Sequence, residues 1–280
     1  MRSTGMRIWV VIVALFWAAH STGSHRDPAV GDAAPGSLGD APARAPAFSS
    51  MNDEHALPDF ASIRDVSAKK AAFYTYMLPL IREANAEVAR ERTGLLAMRD
   101  ALLDGRELDA GDLRALATLE RRYRLDGHNT WVVRRVGDLL RRVDVVPESL
   151  VLAQAAKESG WGTSRFAREG NNLFGIWCFS VGCGLTPLAR AEHLAHEVQR
   201  FDAVGDGVRH YLRTINTHEA YRTLRAIRAQ ARRDNATLHG ELLAAGLERY
   251  SERGIAYVRE IQSMIRYNRL QRFTEVRHSA

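Results

Sequence analysis

The sequence predicts an α+β protein, mainly helical with one small β-hairpin lobe. Two observations carry that expectation. Over most of the chain apolar residues recur at three- and four-residue steps, the period of a helix with one buried face. Only two short runs, Ile176-Trp177-Cys178-Phe179 and Val198-Gln199-Arg200-Phe201, read as strands, and the turn formers Gly182, Gly184 and Pro187 lie between them.

The elements follow in order. Phe73, Met77, Leu80, Ile81, Ala84 and Val88 mark one face of a helix that begins near Ile63 and carries Arg and Glu on its other side through Arg99. Pro79 either kinks this helix or opens a second one at its first turn. Asp104-Gly105 breaks the pattern. Asp109 is placed to cap the next helix, with Leu113, Leu116 and Leu119 inward and Gly127 at its end. Thr130 to Val143 is helical again. No titratable constellation occurs between Ile63 and Val143, so this part reads as packing. Pro147-Glu148 suits a first helical turn, and the small-residue helix that follows runs into Glu158-Ser159-Gly160-Trp161-Gly162. Beyond the strand lobe, Val208, Tyr211, Leu212 and Ile215 form a helix face. Tyr221, Leu224 and Ile227 continue it, and Ile255, Val258, Ile261, Met264 and Ile265 mark the last helix. Asn216 and His218 read as caps at a helix junction. Arg225, Arg228 and Arg232 share one helix face and are expected to be solvated.

Composition bounds the rest. The chain has 280 residues, 46% hydrophobic and 26% charged, a globular balance. Its net charge is +6, and among its 39 basic residues only Lys69, Lys70 and Lys157 are lysines. No Gly-rich phosphate loop, helix-turn-helix signature or internal repeat occurs, so a nucleic-acid partner is not expected. Arg2 and Arg7 precede an apolar run from Ile8 to Ala19, short of the ~20 residues of a membrane span. Residues 1–23 read as a signal peptide, or as an anchor if uncleaved. Residues 24–57 read as a Pro/Ala/Gly-rich linker, so any membrane tether runs through the N-terminus. Residues 58–145 read as the N-terminal helical part of the domain, 146–272 as its core and 273–280 as a tail. An exported chain with Cys178 and Cys183 is expected to join them in a disulfide. A metal site would require His193, His196 or His210 to converge on the two cysteines, and the spacing gives no such cluster. No cofactor is implied.

Glu158 is the informative residue. It sits at the end of a buried helix, where apolar neighbours and the helix C-terminus both disfavour a charged carboxylate. A carboxylic acid kept protonated near neutral pH is what glycosidic-bond cleavage asks of its general acid. The alternative is a glutamate that caps a turn or pairs with an arginine.

Ala155-Ala156-Lys157-Glu158-Ser159-Gly160-Trp161-Gly162-Thr163-Ser164, followed by Asn171-Asn172-Leu173-Phe174-Gly175, resembles the N-acetylglucosaminidase domain of bacterial peptidoglycan hydrolases. The Trp177-Cys178-Phe179 and Gly182-Cys183-Gly184-Leu185 segments resemble the Bax subgroup of that family. The resemblance runs from about Leu57 to Leu270 and implies a lysozyme-like fold. It implies hydrolysis of the β-1,4 bond after N-acetylglucosamine in peptidoglycan strands, in the periplasm or another extracytoplasmic site of a bacterium. Glu158 matches the family's catalytic glutamate. Ser159, Trp161 and Ser164 would shape the turn beneath it, and Ser159, Trp161, Asn171, Asn172 and Phe174 become substrate-binding candidates. A groove tyrosine is expected at Tyr250 or Tyr257, with Tyr250 preferred. For the second carboxylate of many members the chain offers Glu192 and Glu197, and Glu197 is taken as the candidate. A route assisted by the substrate's own acetamido group stays open. So do a lytic transglycosylase or muramidase on the same fold and a non-catalytic peptidoglycan-binding module. A peptide amidase would require a zinc or cysteine site that the sequence does not offer.

Overall fold

The computed structural model describes residues 56–125, 131–188 and 196–274. The segments read as signal peptide and most of the linker lie outside them, as do Glu192, His193, Gly127 and Thr130. Nine α-helices occur among the described residues: α1 (Val66–Leu103), α2 (Ala110–Arg122), α3 (Val132–Arg142), α4 (Glu148–Ser159), α5 (Arg165–Gly170), α6 (Val204–Thr217), α7 (Arg222–Arg233), α8 (Gly240–Ala244) and α9 (Ile255–Tyr267). Three short strands, β1 (Trp177–Cys178), β2 (Gly184–Leu185) and β3 (Glu197–Gln199), lie between α5 and α6. No helix among the described residues is long and apolar enough to cross a membrane.

α1 runs without interruption through Pro79. Proline removes one backbone donor from a helix interior, but Met77 and Ile81 on either side are fully buried and hold the segment in place. Asp65 caps the start, accepting a hydrogen bond from the Ala68 amide. The helix serves two cores. Phe73, Met77, Ile81 and Ala84 belong to the main one, and Val88, Leu95 and Met98 to a smaller one closed by α2 and α3. Asp109 caps α2 as the sequence suggests. Leu113, however, is exposed, because α2 meets that core along only Leu116 and Leu119.

α4 is the axis of the main core. Every residue from Ser149 to Ala156 is buried, and α1, α8, α9 and a closing 3₁₀ turn (Leu270–Phe273) pack around it. Its alanines permit that crowding.

The lobe differs from a plain hairpin. β3 is the central strand and pairs antiparallel with both β1 and β2. Gly184, expected in a turn, is a strand residue. A side chain there would collide with the Val198 carbonyl, 1.9 Å from an ideal Cβ, so a residue chosen for close backbone approach reads as a turn in sequence. Cys178 and Cys183 form the expected disulfide.

The arginine face is also not solvated. Arg228 is 1% exposed and Arg225 is buried beside it. Arg228 donates to the carbonyls of Asp144, Val145 and Arg142, so it fastens the end of α3 to α7. Arg232 grips the buried Asp144 carboxylate with both arms of its fork, at 3.0 and 2.8 Å. Arg92 from α1 reaches the same carboxylate at 3.4 Å. Helical spacing shows which residues share a face; it does not show that another helix end covers that face.

Candidate active site

The site starts where α4 stops. Gly160, Trp161 and Gly162 all adopt positive φ, at 57°, 62° and 77°. That left-handed run ends α4 and reverses the chain immediately after Glu158. Gly162 admits no side chain, because the Phe60 ring lies 2.5 Å from its ideal Cβ. Trp161 is a non-glycine residue in this conformation, a cost that tight packing offsets. Its ring meets Phe73 and Tyr74 at 5.6 and 5.8 Å.

Glu158 projects into a wall of tyrosines. The Tyr257 hydroxyl donates to its Oε1 at 2.8 Å. Behind Tyr257, Gln154 Nε2 donates to the same hydroxyl at 3.0 Å, and the Tyr211 hydroxyl donates to Gln154 Oε1. Tyr250 stacks on Tyr257 with ring centroids 5.1 Å apart, and Tyr221 packs on Tyr250. All four tyrosines are buried. Burial raises the Glu158 carboxyl to about 7; the Tyr257 hydrogen bond and Lys157 oppose the rise, and Glu260 adds to it. Burial likewise pushes the Tyr257 phenol well above its usual value, so it keeps its proton and acts as a donor. Among the described residues no arginine pairs with Glu158, which leaves it a near-neutral acid rather than an ion-pair member.

An open cleft of about 380 Å³ lies beside Lys157 and Glu260, the charged groups that act on Glu158. Trp161, Lys70, Tyr267 and Asn268 also line it. Lys70 Nζ stands 5.0 Å from the Trp161 ring and donates to Asn268 Oδ1.

The expected site residues separate into two groups. Glu158 and Tyr257 meet directly, and Trp161, in the turn after the glutamate, lines the cleft. Tyr257, not Tyr250, touches the glutamate; Tyr250 donates instead to the Phe174 carbonyl at 3.0 Å and buttresses Tyr257. Ser159, Asn171, Asn172 and Phe174 build the frame around the glutamate. Ser159 is fully buried, donating to the Ala155 carbonyl and accepting from the Gly162 amide. Asn171 ends α5 in the left-handed region and donates to the Phe201 and Asp202 carbonyls. Asn172 donates to the Ile176 and Gln199 carbonyls and accepts from the Phe174 and Ile176 amides, so its whole side chain is committed. Phe174 is fully buried and stacks on Tyr211 at 4.2 Å. The paired asparagines therefore tie the lobe to the body and set the ring that backs the tyrosine wall.

Glu197 has a structural post. It is 7% exposed, and its two oxygens accept from the Gly182 and Gly184 amides at 3.1 and 2.7 Å. It braces the disulfide turn from within. The sulfurs of Cys178 and Cys183 lie close to it but are bonded to each other, so they offer a metal no thiolate. His196 stacks on Trp177 and His210 packs edge-on against Phe201. Gln154, Tyr211 and Tyr221 carry no sequence motif. Gln154 alone left a trace, as a polar residue one helical turn before Glu158 in an otherwise apolar run.

A buried acid over a mainly helical body with a small sheet is the arrangement of lysozyme-like glycosidases. Residues 135–270 match a family model described as mannosyl-glycoprotein endo-β-N-acetylglucosaminidase. Over 212 residues the chain is 32% identical to Protein bax of Escherichia coli strain K12, covering 76% of this chain and 74% of that protein. The chain belongs to the glucosaminidase family and is of its Bax type. No solved structure matches it significantly. At the family level it is a glycosidase-type enzyme related to peptidoglycan.

Proposed function

We propose that the protein is an endo-β-N-acetylglucosaminidase that cleaves the β-1,4 bond after N-acetylglucosamine in murein strands, with Glu158 as general acid. The observation that carries the reading is the Glu158 carboxyl, raised to about 7 in a tyrosine wall and hydrogen-bonded to Tyr257. In its protonated form it delivers a proton to the leaving glycosidic oxygen as the bond breaks. Tyr257 fixes the carboxyl rotamer and supports the carboxylate left behind. Gln154 and Tyr211 hold Tyr257 in turn.

With Glu197 bound to two amides and Glu192 outside the described residues, no second carboxylate is assigned among the described residues. The substrate's acetamido oxygen then stabilises the developing oxocarbenium ion, a route that needs one protein acid. The same observation favours one second reading, a lytic transglycosylase that also works with a single glutamate. The disulfide suits an extracytoplasmic compartment, and the segment 1–23 is proposed to direct the chain there.

The test is digestion of purified sacculi by the protein and by its Glu158→Gln variant, with products reduced by borohydride and read by mass spectrometry. Glucosaminitol ends made by the first and absent with the second support the reading. Anhydro-muramic ends move the activity to transglycosylation. Binding to sacculi without any product points to a binding module.

A further inference from the structure

A second cleft, of about 480 Å³, lies between α3 and α7 and shares no lining residue with the cleft at Lys157 and Trp161. Arg141, Arg142, Arg222, Arg225 and Arg233 line it, against the carboxylates of Asp138 and Glu219. The lining thus carries a surplus of positive charge within a volume typical of ligand pockets.

Around Asp144, Arg232 has a bidentate carboxylate at hydrogen-bond distance. The cleft arginines lack that arrangement. Glu219 lies 3.8 Å from Arg142 Nη2 and 4.0 Å from Arg225 Nη2, beyond hydrogen-bond reach, and is itself exposed. Asp138 stands 3.9 Å from Arg141. Yet two of the forks are fixed. Arg142 Nη1 donates to the Tyr123 and Arg124 carbonyls, and Arg225 Nη1 donates to those of Ile215 and His218. Their other arms are thereby held toward the same space without ordering cost on binding. Arg222 and Arg233 add charge at the exposed rim, Arg233 with one arm donating to Gln230 Oε1. Burial, then the fields of Arg142 and Arg222, push Arg225 down to about 10, so these cations repel one another as they stand. An anion among them would relieve that repulsion.

We propose that the cleft between α3 and α7 is a second ligand site, which holds an anionic group through phosphate or carboxylate oxygens. Planar guanidinium forks suit both chemistries. The site stands whether or not Glu158 cleaves glycan.

Calorimetric titration of the full chain at low salt tests it, with inorganic pyrophosphate in one arm and citrate in the other. Saturable binding of one anion per chain is expected, and the tighter of the two names the chemistry. The exposed rim allows Arg222→Gln with Arg233→Gln without touching the core, and this pair should weaken binding about tenfold or more. Arg165→Gln with Arg168→Gln makes the same charge change on α5, which packs on the strand lobe, and should leave the affinity intact. The proposal is overturned if neither anion binds, if the rim pair has no effect, or if the remote pair weakens binding equally. Glu158→Gln should bind the anion as the unaltered protein does, which keeps this result separate from that of the sacculus digest.

Discussion

Two buried carboxylates in this protein meet opposite fates. Glu158 is surrounded by tyrosine rings and one phenolic donor, and burial lifts it to about 7. Asp144 is more deeply buried, whereas Glu158 is half-buried, yet the Arg232 fork with Arg228 and Arg92 overcomes its desolvation and holds it below its usual value. One is therefore kept as an acid and the other as an anion. The difference lies in the partners: a neutral donor leaves the proton in place, and fixed cations expel it. It also fits their positions. Glu158 stands at the half-buried end of α4, and Asp144 stands where α1, α3 and α7 join the two cores.

The most severe test of the contrast removes each charge in turn. Glu158→Gln should lower glycan cleavage by about a hundredfold or more while leaving the fold intact, read as initial rates beside circular dichroism. Asp144→Asn should leave Arg228 and Arg232 without their counter-ion and cost about 3–5 kcal/mol in denaturant unfolding. Any loss of activity in that variant should track the unfolded fraction.

Their pH dependence should run in opposite senses. The Glu158 carboxyl binds its proton more tightly when folded, so its contribution is complete below the unfolded value of 4.5 and fades as pH rises through about 7. Glu158→Gln should consequently stabilise the protein at pH 8, by at most about 3 kcal/mol, and give no gain at pH 4. Asp144 is depressed, so its contribution is present above the unfolded carboxylate range and lost as pH falls through its folded value. Thermal melts of both variants across pH would show whether the two limbs separate. A gain at pH 8 from Glu158→Gln that persists unchanged at pH 4 would break the assignment.

The smallest effect belongs to Tyr257→Phe. It deletes a hydrogen bond that lowers the Glu158 carboxyl, so the alkaline limb of the rate profile should move to higher pH. Stability should fall by about 1 kcal/mol, because Gln154 loses its acceptor. An unshifted limb would mean that Tyr257 only packs.

How much of this was legible depended on range. Glu158 and its glycine turn form one short segment, so helix, break and acid could be read together. The caps at Asp109 and His218 are local and were equally plain. Tyr257 lies 99 residues from the glutamate, and the choice between it and Tyr250 had no local basis; the structure chose the tyrosine the sequence did not favour. The asparagine pair stands before an aromatic and a glycine, a setting in which side chains bond backbone groups, and it does so here. Arg225 and Arg228 were misread. Arginine on a helix face signals solvent unless an unpaired helix end from elsewhere covers it.

By itself the sequence determined the helical body, the small sheet, the disulfide pair and the glutamate at the glycine turn. Each rests on period, turn chemistry or residues close in the chain. Only the tertiary structure decided which carboxylate keeps its proton. That choice depends on what arrives from distant segments, tyrosines from α6 and α9 at one site and arginines from α1 and α7 at the other. A buried charge is governed by the groups within a few ångströms of it, and sequence order does not record which groups those are.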